Sequence, residues 1–141
     1  MKIRLLRALM LFMSSIGCAG SSSPAIPEED IVTIPIIQGC SHISPYEGMR
    51  VNDVVGIVTA KSYNGFYLQT KIPDDLDCSS EGIFIFTDGF PEVIPGDEVQ
   101  VSGMVDEFRP GQVEDRNLTI TEIIDPQIIT LSRVNQLPDP V

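Results

Sequence analysis

The stretch EVQVSGMVDEF, Glu98–Phe108, decides the fold. Val99, Val101, Gly103 and Val105 share one parity, and Glu98, Gln100, Ser102 and Met104 share the other. A strand turns successive side chains to opposite faces, so this alternation specifies a half-buried β-strand. Pro95-Gly96-Asp97 launches it as a turn, because proline presets φ and glycine reaches conformations closed to other residues.

Working outward, Arg50–Ser62 reads as a second long strand with Gly56 at its middle. The dipeptide Asn64-Gly65 is a hairpin signal and leads into a strand at 66–70. Two more strands fall at 82–87 and 117–124, and 127–132 extends or accompanies the last. The body is rich in Val, Ile, Phe, Tyr and Thr and breaks about every ten residues at Gly, Pro, Asn or Asp, the spacing of an all-β domain. No helix is expected. Glycine weakens a strand interior unless the strand bends or another backbone comes close, so Gly56 and Gly103 suit long strands coiling around a small barrel. The expected architecture is all-β, a five-stranded OB-fold-like Greek-key barrel. A small β-sandwich is the rival.

The chain begins with basic Lys2, Arg4 and Arg7, an apolar run to Met13, and then Ser14-Ser15-Ile16-Gly17-Cys18-Ala19. A basic start, a short apolar run and small residues at a cut describe a secretory signal over 1–17. The run is too short to span a membrane, which takes about 20 apolar residues. Ser15-Ile16-Gly17-Cys18 resembles a bacterial lipobox, although leucine is usual where Ser15 stands. That resemblance implies lipidation of Cys18 and a membrane partner reached through the lipid. An ordinary cut near Gly20, giving a secreted soluble protein, is the alternative. Residues 18–33 read as a flexible tether, 34–133 as the domain and 134–141 as a tail that starts another linker.

Charge narrows the partners. The chain holds nine basic and twenty acidic residues; without Lys2, Arg4 and Arg7, six basic residues face twenty acidic ones, a net of −14. Such a charge repels a phosphate backbone and favours solubility and cationic partners. With Cys18 assigned to lipid, Cys40 and Cys78 remain as a natural disulfide pair in an exported domain, or as two separate thiols.

Several segments together resemble the OB-fold module near the N-terminus of bacterial extracellular nucleases of the ExeM/NucH type. They are 36–48 (IIQGCSHISPYEG), 55–60 (VGIVTA), 64–70 (NGFYLQT), 80–86 (SEGIFIF), 96–108 (GDEVQVSGMVDEF) and 117–123 (NLTITEI). The likeness covers roughly 34–141. It implies an accessory module, because the chemistry of that family resides in a separate endonuclease/exonuclease/phosphatase domain that uses a metal with acidic and histidine residues. This chain has a single histidine, His42, so a two-histidine site is excluded. The family usually lacks cysteines at positions 40 and 78, and that departure suggests a local staple.

Candidate sites follow from the expected fold. The OB-fold ligand face lies on strands two and three. Here those strands carry Phe66, Tyr67, Phe84 and Phe86, with Tyr67 and Gln69 outward by alternation. Exposed aromatics stack on bases or sugars; the bland alternative is that they fill or cover the core. Lys61, Arg109 and Arg116 are placed near that face as a weak electrostatic funnel, diluted by Glu114 and Asp115. Asp74, Asp75 and Asp77, with Glu81 beyond, offer the oxygen ligands that Ca²⁺ takes, in a spacing unlike an EF-hand. A solvated loop is the alternative, and no other cofactor is expected. His42 reads as a polar loop residue, and no nucleophile–base pair can be assembled around Ser44, Ser79 or Ser80. The expectation is a monomeric, non-catalytic surface module. Its ligand would be single-stranded nucleic acid or oligosaccharide, the former disfavoured by charge. A structural envelope lipoprotein is the further alternative.

Overall fold

In a computed structural model, the structure describes residues 31–111 and 116–140. The signal, Cys18 and most of the tether lie outside the described residues.

The protein is all-β apart from one short helix, α1 (Ile34–Gln38). Five strands follow: β1 (Arg50–Ser62), β2 (Gly65–Gln69), β3 (Gly82–Phe86), β4 (Glu98–Phe108) and β5 (Ile120–Ser132). They form one sheet whose pairings close into a ring, in the order β1-β2-β3-β5-β4 with β4 returning to β1. Every contact is antiparallel except the short parallel pair of β3 with β5. Inside lie Val51, Val54, Val58, Phe66, Leu68, Ile83, Ile85, Val99, Val101, Val105 and Ile123. The valines of β4 are the residues whose alternation specified the strand.

Three expectations need correction. A helix is present. Pro35 in its first turn and Gly39 after its end are ordinary start and stop signals. Ile34 and Ile37, three apart, bury one helical face in the core. Five residues are too few to show a period. Next, β2 and β3 each end a residue earlier than expected, and β2 begins at Gly65. Finally, β5 starts at Ile120, so Asn117 to Thr119 precede it; of the two readings of 127–132, extension of that strand through Pro126 is the one found.

The continuity of β5 depends on Gly103. Ser102 pairs with Gln127 and Met104 with Ile124, so Asp125 and Pro126 together oppose one residue. This is a β-bulge, where proline is tolerated and one residue is left unpaired. A side-chain carbon on Gly103 would come within 2.7 Å of the Ile124 carbonyl. Asp125 itself takes φ +48°.

Cys40 and Cys78 are joined in a disulfide, with Cα atoms 4.8 Å apart and a sequence separation of 38. It ties the leading segment to the loop before β3. Closing a loop of that length stabilises by about 4 kcal/mol in the chain-entropy account. Past β5, the chain turns back along the domain. Asn135 donates from its backbone and side chain to the Gly96 carbonyl, at 2.8 and 2.9 Å. Gln69 Nε2 donates to the Asp139 carbonyl at 2.9 Å. The tail therefore packs on the domain at least to Asp139. Among the described residues no helix is long and apolar enough to cross a membrane.

Candidate functional site

One transverse row of side chains crosses four strands. Tyr67 on β2 pairs with Phe84 on β3, Phe84 with Glu122 on β5, and Glu122 with Asp106 on β4. Paired residues point to the same face, so the row forms the floor of a concavity. Phe86, Ile124 and Asp125 line it on one side, Phe108 and Ile120 on the other, and Ser62 and Asn64 close one end. The groove holds about 480 Å³, within the range of small-molecule sites.

Its aromatics form a platform. The Tyr67 and Phe84 rings are 5.0 Å apart at 58°, a tilted geometry favoured by ring quadrupoles. Tyr67 is 51 % exposed, and Phe108 and Ile120 are each 49 % exposed. These half-exposed apolar groups line one groove together, which makes it a candidate recognition surface. Gly65 sits beneath Phe84. A side-chain carbon there would lie 2.5 Å from Phe84 Cζ.

The polar part of the groove is acidic. Asp106 and Asp125 are exposed, whereas Glu122 is only 6 % exposed. Among the described residues no hydrogen bond or ion pair reaches the Glu122 carboxylate. Burial pushes its carboxyl above the usual carboxylate range, and the neighbouring Asp106 pushes the same way. Among the described residues the fully buried, unpartnered carboxylate oxygens belong to Glu81, Asp97 and Glu107; those of Glu122 open to the groove, where a partner can reach them.

The predicted site residues divide. Tyr67, Phe84 and Phe86 are brought together as expected, and Phe66 is core. Gln69 is engaged with the tail and does not line the groove. Lys61 is also elsewhere, its Nζ 4.3 Å from the centre of the Phe90 ring. Arg109 and Arg116 are exposed and line no part of the groove. The expected basic funnel is thus replaced by carboxylates. Continuing the outward parity of β4 from Met104 reaches Asp106 and Phe108, so those two were within reach of the alternation. Asp125 was not, because the bulge breaks the parity.

The acidic loop forms a separate depression with Glu81. Asp74 is occupied locally: its Oδ1 accepts from the Leu76 N–H at 3.0 Å and both its oxygens accept from the Ser79 hydroxyl at 2.9 Å. Glu81 Oε1 accepts the Asp74 N–H at 3.0 Å. Asp75 and Asp77 are exposed. Among the described residues no three His, Cys, Asp or Glu side chains are grouped as metal ligands would be. His42 is exposed, and its Nε2 accepts the Thr119 N–H at 3.3 Å.

No protein family, curated protein or solved structure matches the chain.

Proposed function

We propose that this protein is a non-catalytic OB-fold binding module of the cell envelope, and that its ligand lies in the groove across β2, β3, β5 and β4. The observation that carries the reading is the open platform of Tyr67, Phe84, Phe86 and Phe108 on a concave face of a sheet that otherwise packs a full core. Support for the OB-fold comes from the five strands, their ring order and the long coiled β1 and β4. The groove also lies where OB-folds hold ligands, between the loop joining β1 to β2 and the loop joining β4 to β5. The disulfide supports an oxidising, exported setting. The lipobox-like segment supports anchoring at Cys18. The string of motifs shared with extracellular nucleases supports an accessory role beside such an enzyme.

The acidic groove bears on the choice of ligand. Single-stranded nucleic acid needs a positive groove that tracks phosphates. Asp106, Glu122 and Asp125 supply the opposite sign, so a ligand without phosphates is the better fit. Titration with oligosaccharides, oligopeptides and oligonucleotides at low salt tests the reading. Binding that is lost in Tyr67→Ala supports it; oligonucleotide binding unaffected by Tyr67→Ala overturns the site. Incubation with DNA or RNA and Mg²⁺ or Ca²⁺ tests the non-catalytic part, and reproducible cleavage by the pure protein overturns that part.

A further inference from the structure

We infer that the groove recognises an alkylammonium group, such as a lysine side chain, with its hydrocarbon stem on the aromatic and aliphatic wall and its charged head at Glu122. The inference rests on the binding-site reading above and names the chemistry of the ligand. Glu122 is more than nine-tenths buried, opens into the groove, and has no partner among the described residues. Asp106 stands opposite it on β4 and Asp125 stands near it on β5, both acidic. Among the described residues no lysine or arginine lines the groove to neutralise the three. The vacancy in charge balance is therefore positive.

The shape agrees with the charge. Lysine buries a long apolar stem while its head stays polar. Ile120, Ile124 and Phe108 offer the stem an aliphatic and aromatic wall. Phe84 adjoins Glu122 in the parallel pair, and Tyr67 adjoins Phe84. A cation held near those rings gains from their quadrupoles as well as from the carboxylates. A neutral sugar would use the rings but leave Glu122 unpaired, and a phosphate would be repelled.

Protonation is linked to this recognition. Asp106 from β4 and Phe84 from β3 pair directly with Glu122, and Asp125 from β5 and Tyr67 from β2 line the same groove. None is a cation, so an arriving ammonium is what favours ionised Glu122. Affinity then weakens as pH falls through the Glu122 titration.

The experiment uses two short peptides that differ only in one lysine, free or Nε-acetylated, and a short linear polyamine, titrated by calorimetry at moderate salt. The proteins are wild type, Glu122→Gln, and Asp75→Asn as a remote variant of the same charge change. The inference expects the free-lysine peptide to bind wild type. It expects acetylation or Glu122→Gln to weaken binding at least about tenfold, and Asp75→Asn to leave it within about twofold. Thermal denaturation of Glu122→Gln confirms that it is folded. Polyamine binding alone identifies a free amine, and peptide binding alone a protein partner; either sustains the chemistry. Equal binding of the acetylated peptide overturns the cation and leaves the groove reading intact. Equal weakening by Asp75→Asn reveals diffuse charge attraction and overturns the inference. Binding of no probe overturns the inference, while loss of every other ligand's binding on Tyr67→Ala would still uphold the groove.

Discussion

Glu107 and Glu122 sit on adjacent strands, in neighbouring rows of one ladder, and their surroundings are opposite. Glu107 pairs across from Thr121, and Glu122 across from Asp106. At Glu107 the leading segment docks against β4 and β5. Its Oε1 accepts the Ser44 N–H at 2.8 Å and the Thr121 hydroxyl at 2.8 Å. Burial works against the charged form there. Those hydrogen bonds, with Thr119 and the nearby His42, outweigh it and hold the carboxyl below the usual range. At Glu122 burial acts with no such compensation, and Asp106 adds to it. Glu107 is tied into the fold through Oε1, although its Oε2 is buried without a partner; Glu122 receives no donor on either oxygen and faces the groove, where a ligand can reach it.

The largest effect should come from the structural side. Reducing the leading segment's attachment by Cys40→Ala with Cys78→Ala should cost about 4 kcal/mol in denaturant unfolding, by loss of loop closure. The groove rings should survive that loss in the residual folded fraction. Next, Glu107→Ala should destabilise by about 2 kcal/mol, the scale of hydrogen bonds to a charged group. Glu122→Gln should instead stabilise at neutral pH by about 1 kcal/mol, because it removes a charge that partial burial disfavours and Asp106 repels. Destabilisation by both substitutions would contradict the difference between the two acids.

The pH dependence should separate the two as well. Glu107, with its lowered pKa, contributes stability that is present above the unfolded carboxylate range and lost as pH falls through its folded pKa. Glu98 behaves the same way, held down first by Lys71 at 2.7 Å and then by Ser132. Glu122 has a raised pKa, so it destabilises above its folded pKa and that cost is relieved as pH falls toward the unfolded range. Urea midpoints of wild type and Glu122→Gln should therefore converge in mild acid. The smallest effects belong to the surface. Tyr67→Ala should change stability by about 1 kcal/mol or less, its ring being half exposed, while weakening ligand binding. Lys71→Ala should cost at most about 1 kcal/mol, as expected of an exposed pair.

Much of the scaffold was legible because its signals are local. The parity of Val99 to Val105 carries both β4 and its buried face, and Asn64-Gly65 carries the β1–β2 hairpin. Helix α1 escaped because two buried isoleucines in five residues show no period. The sequence leaves the join of β5 through Pro126 open between an extension and a separate strand, because a proline inside a strand argues against the strand unless a glycine across the ladder makes room for a bulge. Of the site, Tyr67, Phe84 and Phe86 follow from alternation on β2 and β3. Lys61, Arg109 and Arg116 are close in sequence to the groove's edges, but their side chains lie outside it. What no single strand could reveal is that Glu122 lacks a partner, since that depends on what β3 and β4 bring beside it.

The most direct measurement is the titration of carboxyl carbons by NMR, following Glu107 and Glu122 in one sample, with and without the free-lysine peptide. The account predicts Glu107 below and Glu122 above the ordinary carboxylate range in the free protein, with the peptide lowering Glu122 and leaving Glu107 in place. Ordinary values for both, or a peptide that shifts neither or both alike, would contradict it.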